Sequence, residues 1–262
     1  MKNKKSPTEL GQIKSFEKNS KGSQKGHSNG SKMPAGPLCI DSWSAFSEYV
    51  RYAPELVGTI SGSPVEIDKA MALWSPEAGG KPNLRPSDKF SVEIKIKRMS
   101  EDDFLAAAKD LSHDTLVIVD HITDTRNLGA IARSLAFFGG KHLVMPKDRQ
   151  APITSATLTT AQGAFAIVTP IEVVNLPRFI RKLKDVGYWI LAADMNGAPI
   201  ESMQQKYEKI ALVVGSEDKG VSRAVSQEAD LVISIQPRQN GLESLNVSVA
   251  TGVLLHALSP KG

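Results

Sequence analysis

The sequence predicts an α/β protein: a mostly parallel six-stranded sheet with helices on both faces, preceded by a smaller α/β unit. Three observations lead there. From near residue 112 onward, short apolar runs alternate with amphipathic stretches, the pattern of buried parallel strands and their crossover helices. The 262 residues are 41% apolar and 23% charged, an ordinary globular composition. At ~150 residues per domain that length allows one or two domains. The single cysteine, Cys39, excludes an internal disulfide framework and a Cys-rich zinc site, and fits a reducing compartment.

Residues 1–36 form a Lys-, Ser- and Gly-rich tail with eight lysines against Glu9 and Glu17, net +6, while the remaining chain is net −2. So few apolar groups cannot offset the entropy of ordering, so the tail is expected to be disordered. It reads either as a solubilising segment or as a polybasic arm for nucleic acid. Residues 37–110 form the small α/β unit. A helix over 43–50 has Asp41 or Ser42 as N-cap, and a strand covers 57–60. A helix follows over 68–74, then a loop over 75–87 marked by Pro76, Gly79, Gly80, Pro82 and Pro86. Alternation of Phe90, Val92, Ile94 and Ile96 predicts a half-buried strand. Ser100 with Asp103 caps a helix over 102–109.

Residues 111–262 hold the large unit. Its strands are predicted over 116–119, 142–145, 166–168, 189–192, 210–214 and 231–235. Its helices are predicted over 128–138, 155–162, 177–186, 221–228 and 247–258. No run approaches the ~18 apolar residues of a membrane span, and no apolar stretch follows the N-terminal lysines. The expected location is the cytoplasm. The histidines are scattered, so no metal site is expected.

Open α/β sheets bind ligands beyond the carboxyl ends of their strands. Three loops stand there. The first, from Asp120, carries Asp124, Thr125 and Asn127 as potential caps, Gly129 for close backbone approach, and Arg133 in the helix that follows. A helix N-terminus with a nearby guanidinium attracts phosphate, although a cap and a surface arginine would look the same. The second, Gly215-Ser-Glu-Asp-Lys-Gly220, is a Gly-rich turn presenting Glu217. It is neither a GxGxxG fingerprint nor a GxxxxGK[ST] phosphate loop, which argues against a dinucleotide-dependent dehydrogenase. The third brings Ser244 and Asn246 to the start of a final helix rich in small residues, Ala250, Thr251 and Gly252.

Taken together, NLGAIARSLAFFG, VVGSEDKG and ISIQPRQNGLESLNVSVATG resemble the three motifs of the TrmH-like (SpoU) branch of the SPOUT methyltransferases. The resemblance covers roughly residues 112–260; residues 38–108 are more weakly similar to the family's small RNA-binding domain. It implies transfer of a methyl group from S-adenosylmethionine to a ribose 2′-hydroxyl of rRNA or tRNA, closest to the rRNA guanosine type. It implies a C-terminal trefoil knot and a homodimer with active sites at the interface. It places the cofactor on Gly215, Ile235 and Leu245, with Ser244 and Asn246 nearby. It assigns catalysis to Arg133, Asn127, Glu217, Ser244 and Asn246. The family's proposal makes Arg133 a general base; a guanidinium, which keeps its proton, is an easier fit as phosphate clamp and oxyanion stabiliser. His121 beside Asp120 is the nearby alternative base.

Three departures stand out. Asp124-Thr-Arg-Asn127 lacks the usual proline of Asp-Pro-x-Asn, and Ile235-Gln-Pro-Arg replaces Ile-Pro-Met, with one more residue before Ser-Leu-Asn. No Gln-Gly segment separates the two units near 105–115. RNA would meet basic groups such as Lys95, Lys97 and Arg98, or Lys147 and Arg149; Arg178, Arg181, Lys182 and Lys184 read rather as a solvated helix face. A catalytically silent RNA binder on the same fold is the competing class.

Overall fold

Ser42, Ser63 and Ser100 each begin a helix. In the computed structural model, which describes residues 36–74, 80–203, 205, 207–238 and 244–259, Ser42 Oγ accepts from Ala45 N to start α1 (Trp43–Tyr52). Ser63 and Glu66 form a reciprocal capping box that starts α2 (Pro64–Leu73) four residues earlier than predicted. Ser100 accepts from Asp103 N, 3.1 Å, at the head of α3 (Glu101–Ala108). The lysine-rich segment lies, but for Gly36, outside the described residues.

The small sheet has strands β1 (Leu38–Ile40), β2 (Val57–Gly62), β3 (Asn83–Pro86) and β4 (Ser91–Ile94), in the order β1-β4-β2-β3. β3 corrects the loop expected over 75–87: it pairs parallel to β2 at the sheet edge. An edge strand tolerates proline, so Pro86 did not exclude it.

The large sheet is all parallel. Its strands are β5 (Asp114–Asp120), β6 (His142–Pro146), β7 (Thr169–Val173), β8 (Trp189–Pro199), β9 (Lys209–Gly215) and β10 (Leu231–Ser234), in the order β10-β8-β9-β5-β6-β7. Alternate residues feed two cores. Val117, Val119, Leu212 and Val214 face α4 (Thr125–Phe137), α5 (Ser155–Ala161) and α8 (Val247–Leu258). Leu116, Ile118, Ala211 and Val213 face α3, α6 (Leu176–Asp185) and α7 (Arg223–Ser226). Helices thus cover both faces, as predicted.

The strand predicted at 166–168 is corrected. Ala164–Ala166 is a 3-10 turn whose Ala164 and Phe165 are buried, and β7 starts at Thr169. The apolar run there packs the end of α5; Pro170 is accommodated because β7 is an edge strand. Helix α7 is shorter than the predicted 221–228, because its turn must follow the bend at Gly220.

Strand β8 runs well past the predicted 189–192. Ala192 pairs with Val232 and Ala198 with Ile233, so residues 193–197 have no partner on β10 and bulge outward. The bulge is pinned at its far end. A Cβ on Gly197 would stand 2.6 Å from the Ile233 carbonyl carbon, so only glycine passes there. Ser234 Oγ donates to Gly197 O, 2.8 Å, and Gln236 Nε2 donates to Ser234 Oγ, 2.7 Å. Gln236, one of the departures in the third motif, thus braces this bulge.

The two sheets are joined through one continuous apolar core that includes Phe46, Tyr49 and Ile60 together with Leu128, Leu158 and Leu254. Cys39 N donates to Ser155 Oγ at 2.9 Å, and Ser42 Oγ to Gln162 Oε1 at 3.2 Å. At Gly163, φ +89°, an added Cβ would lie 2.5 Å from Glu48 Cβ, so α1 rides directly on the turn after α5. The connecting chain is itself anchored: Met99 N donates to Pro170 O, 3.1 Å, and Arg98 pairs with Glu172.

Candidate active site

Asp124, not Asn127, caps α4: its Oδ1 accepts from Arg126 N at 2.7 Å. That backbone bond, followed by one from the Arg126 side chain, holds the Asp124 carboxyl below the usual carboxylate range. Asn127 is thereby left free for other work. Its Nδ2 donates to Glu217 Oε1 at 3.0 Å, across 90 residues of sequence. Asn246 joins them from the head of α8. Its Nδ2 donates to Asn127 Oδ1 at 3.1 Å and also to Glu217 Oε1.

The orientation of Asn246 is fixed from the other side. Its Oδ1 accepts from Ser248 N, 3.0 Å, and from Ser248 Oγ, 2.6 Å. An amide oxygen engaged twice leaves the nitrogen to face Glu217 and Asn127. Glu217 Oε1 therefore receives two N–H bonds, while Oε2 has no hydrogen-bond partner among the described residues. Ser248 is absent from the residues expected from sequence. The Asn-x-Ser spacing at a helix start, which lets one amide oxygen take both the N–H and the hydroxyl two residues on, was the available signal.

Beside this trio lies a cleft of about 320 Å³. Its lining includes the 215–220 turn, Ile233 to Ile235, Ser244, Leu245 and Leu254. Of the expected cofactor positions, Gly215, Ile235, Ser244 and Leu245 line it and Asn246 does not, and Glu217 belongs to both the cleft and the trio. Residues 193–196 of the β8 bulge form a further wall not anticipated from sequence. The strand was taken to end at Ala192; its polar continuation, Asp194-Met-Asn196, carried no apolar signal to extend it.

Arg133 is not brought to the trio within one chain. It lies exposed on α4, six residues beyond Asn127, about 240° around the helix. It shares a face with Phe137, which is 82% exposed. His121 and Asp120 do not line the cleft. Asp120 is buried, and its Oδ2 accepts from Ser222 N at 2.7 Å, tying the end of β5 to the turn after Gly220. His121, with φ +62°, sits against Asp120, its Nδ1 2.5 Å from Oδ1. This pair holds the turn rather than facing the cleft.

Three of the four basic side chains of α6 are paired with neighbours. Arg181 pairs with Glu228, Lys182 with Glu101 at 2.6 Å, and Lys184 with Asp230 at 2.8 Å. This agrees with a solvated helix face. Among the described residues, no cluster of His, Cys, Asp or Glu is placed to hold a metal ion, and no helix is long and apolar enough to cross a membrane.

Comparison with known proteins bears on the family and the fold. An "Uncharacterized tRNA/rRNA methyltransferase" of Mycobacterium bovis is 41% identical over 158 residues, 60% of this chain and 49% of that protein. Its Mycobacterium leprae counterpart is 42% identical over 154 residues, 59% of this chain and 50% of that protein. The chain thus spans about half the length of the curated relatives it matches. The SpoU methyltransferase AviRb of Streptomyces viridochromogenes superposes with a TM-score of 0.68, over 86% of this chain and 89% of that one. At 15% identity that likeness is one of fold. The TrmH/SpoU tRNA modifying enzyme of A. aeolicus is 26% identical with a TM-score of 0.50, over 61% of this chain and 82% of that one. The SpoU rRNA Methylase family profile matches residues 114–256, more than half of the sequence. The chain belongs to the SpoU rRNA Methylase family.

Proposed function

We propose that this chain transfers a methyl group from S-adenosylmethionine to a ribose 2′-hydroxyl of RNA, with rRNA as its substrate. The observation that carries the reading is Glu217, one oxygen of which is locked by two asparagines while the side chain also lines the cleft. Related folds support the cofactor: AviRb has been solved with AdoMet. The cleft fits such a group. Its volume falls within the ~300–1,000 Å³ of small-molecule sites. Val214, Ile233 and Leu254 give it an apolar wall, and Gly215, with no side chain, lets the 215–220 turn close against its backbone as a further wall.

When bound, S-adenosylmethionine supplies a sulfonium methyl to an oxygen nucleophile. The chain's residues bind, orient and neutralise. Gly215, Ile235, Ser244 and Leu245 hold the cofactor side. Asn127 and Asn246 fix Glu217 so that Oε2 is free to accept a hydrogen bond, and the ribose hydroxyl is its donor in this reading. Arg133 clamps a substrate phosphate and stabilises charge developing on the 2′-oxygen. Positioning supplies much of the rate.

Because Arg133 stands apart from the trio, the reading includes a homodimer in which one protomer's Arg133 serves its partner's site. An exposed apolar stripe supports it: Val249 and Val253 on α8, 51% and 41% exposed, continue through His256 and Phe138 to Phe137. The trefoil knot belongs to the same proposal. β10 lies at one sheet edge while α8 packs back on α4, and Ile235 and Leu245, on either side of the connection, line the cleft with the 215–220 turn, which supports it. The site of action would be the cytoplasm, where a chain with one cysteine needs no disulfides.

A tRNA substrate is the second reading, favoured by the tRNA modifying enzyme among the structural relatives. The test is incubation with methyl-labelled cofactor and total RNA from a strain lacking the gene, beside Arg133→Ala. Label in rRNA that withstands alkaline hydrolysis at one site, and is lost in the variant, is the expected result. Label confined to tRNA would replace the substrate, and cofactor binding without label would favour a silent RNA binder.

Ser248 provides a finer check. Ser248→Ala removes one bond that orients Asn246, so kcat should fall about fivefold, the worth of ~1 kcal/mol. The cofactor KM should hold, and Ser248→Thr should restore kcat. A fall in cofactor affinity instead would show that Ser248 shapes the cleft rather than the trio.

A further inference from the structure

We propose that Asp194 is the group that takes the ribose hydroxyls of the adenosyl cofactor. The inference rests on the cofactor reading above and adds to it a residue that none of the three motifs contains. Five residues of β8, 193–197, give up their pairing with β10, and the bulge is held in place by Gly197, Ser234 and Gln236. A strand that abandons its ladder next to a cleft is re-aiming side chains. The side chains delivered here are Asp194, Met195 and Asn196, and all three line the cleft.

Asp194 is held ready for a ligand on one side only. Its Oδ1 accepts from Asn196 N at 2.9 Å and from Asn196 Nδ2 at 3.2 Å. Its Oδ2 has no hydrogen-bond partner among the described residues. The space before Oδ2 is open toward the opposite turn: a Cβ built on Gly220 would be 4.0 Å from it and would meet nothing nearer. The deeper wall is apolar, with Val214, Ile233 and Leu254, and suits a purine. Asp194 is exposed, at the mouth, where a ribose joined to that purine would lie. A carboxylate oxygen with two free lone pairs can accept from two vicinal hydroxyls. Of the other carboxylates lining the cleft, Glu217 has its Oε1 taken by two N–H bonds and its Oε2 assigned above to the substrate hydroxyl, and Asp218 stands on the 215–220 turn.

The test is calorimetric titration of wild-type protein and Asp194→Asn with S-adenosylmethionine, S-adenosylhomocysteine and 5′-methylthioadenosine. Asparagine keeps an oxygen for Asn196 N, so the bulge is retained and the melting temperature should not move. All three ligands carry the same ribose, so each should bind roughly tenfold more weakly to the variant, as expected for a lost charge-assisted bond. Unchanged affinity for all three would overturn the assignment. So would a loss for the first two with none for methylthioadenosine, which would put the amino-acid moiety at Asp194, or a loss for S-adenosylmethionine alone, which would put the sulfonium there. Wild-type protein that bound none of the three would instead overturn the cofactor reading itself.

Discussion

Arg133→Ala is expected to lower methyl transfer by about 10²–10³-fold, the range for removing one preorganised donor from a developing oxyanion. Cofactor affinity should be unchanged, because Arg133 lines no part of the cleft. Arg133→Lys should recover little, since an ammonium cannot make the planar, bidentate contact with phosphate. Initial rates of label transfer at saturating cofactor measure the first effect, and calorimetry the second. The separation of Arg133 from the trio gives the experiment a second arm. In the proposed dimer, an arginine that serves its partner's site leaves a mixed dimer of Arg133→Ala and Glu217→Gln with one site that has both an intact arginine and an intact carboxylate. If the arginine acts across the interface, mixing should restore activity to two inactive preparations. Wild-type rates for Arg133→Ala would remove Arg133 from the mechanism, and failure of mixing would confine it to its own chain.

Gly215→Ala is expected to damage stability and cofactor binding together. An added Cβ would stand 2.0 Å from the carbonyl carbon and oxygen of Gly220 and 2.2 Å from Val221 N. These are backbone atoms, not the end of a side chain that could swing away. The 215–221 turn must therefore open, at a cost of about 2–3 kcal/mol for overpacking a tight site. That turn presents Glu217 and forms one wall of the cleft, so cofactor affinity should fall by well over tenfold in the same protein. Denaturant midpoints and titration of the cofactor give the two numbers. Gly252→Ala is the contrast, because a Cβ there meets only Ser134 Oγ at 3.5 Å, an ordinary contact. If Gly215→Ala were as mild as Gly252→Ala, the turn would be more pliant than its packing indicates.

The sequence was informative where a local rule decides structure alone. The final helix was predicted over 247–258 and is found at Val247–Leu258, because an Asn cap marks its start and a largely apolar run carries it to Leu258. The six strands were legible as apolar runs with the parallel order of a doubly covered sheet, apart from β7, where the apolar run 166–168 just before Thr169 imitated the strand. β3 was hidden because an edge strand flanked by prolines has the composition of a loop. The three candidate loops were visible as breaks in the apolar rhythm, and their motifs supplied the candidate residues. What they could not give was geometry. Asn127, Glu217 and Asn246 meet across up to 119 residues, and no local pattern announces such a meeting. Nor could periodicity reveal that β8 continues as a polar bulge into the cleft.

The core shared by the two sheets has a further consequence. Since α1 rests on the turn at Gly163 and the linker is stitched to β7, the small sheet is not a hinged arm that gathers RNA and swings it inward. The molecule behaves as a caliper with fixed jaws. In the reading proposed above, an RNA held at the small sheet would present its target ribose at a set span, and the flexing needed to reach the cleft would fall to the RNA. On that reading selection would act on how readily a strand bends or unstacks, and two RNAs with the same bases around the target would be told apart by stiffness.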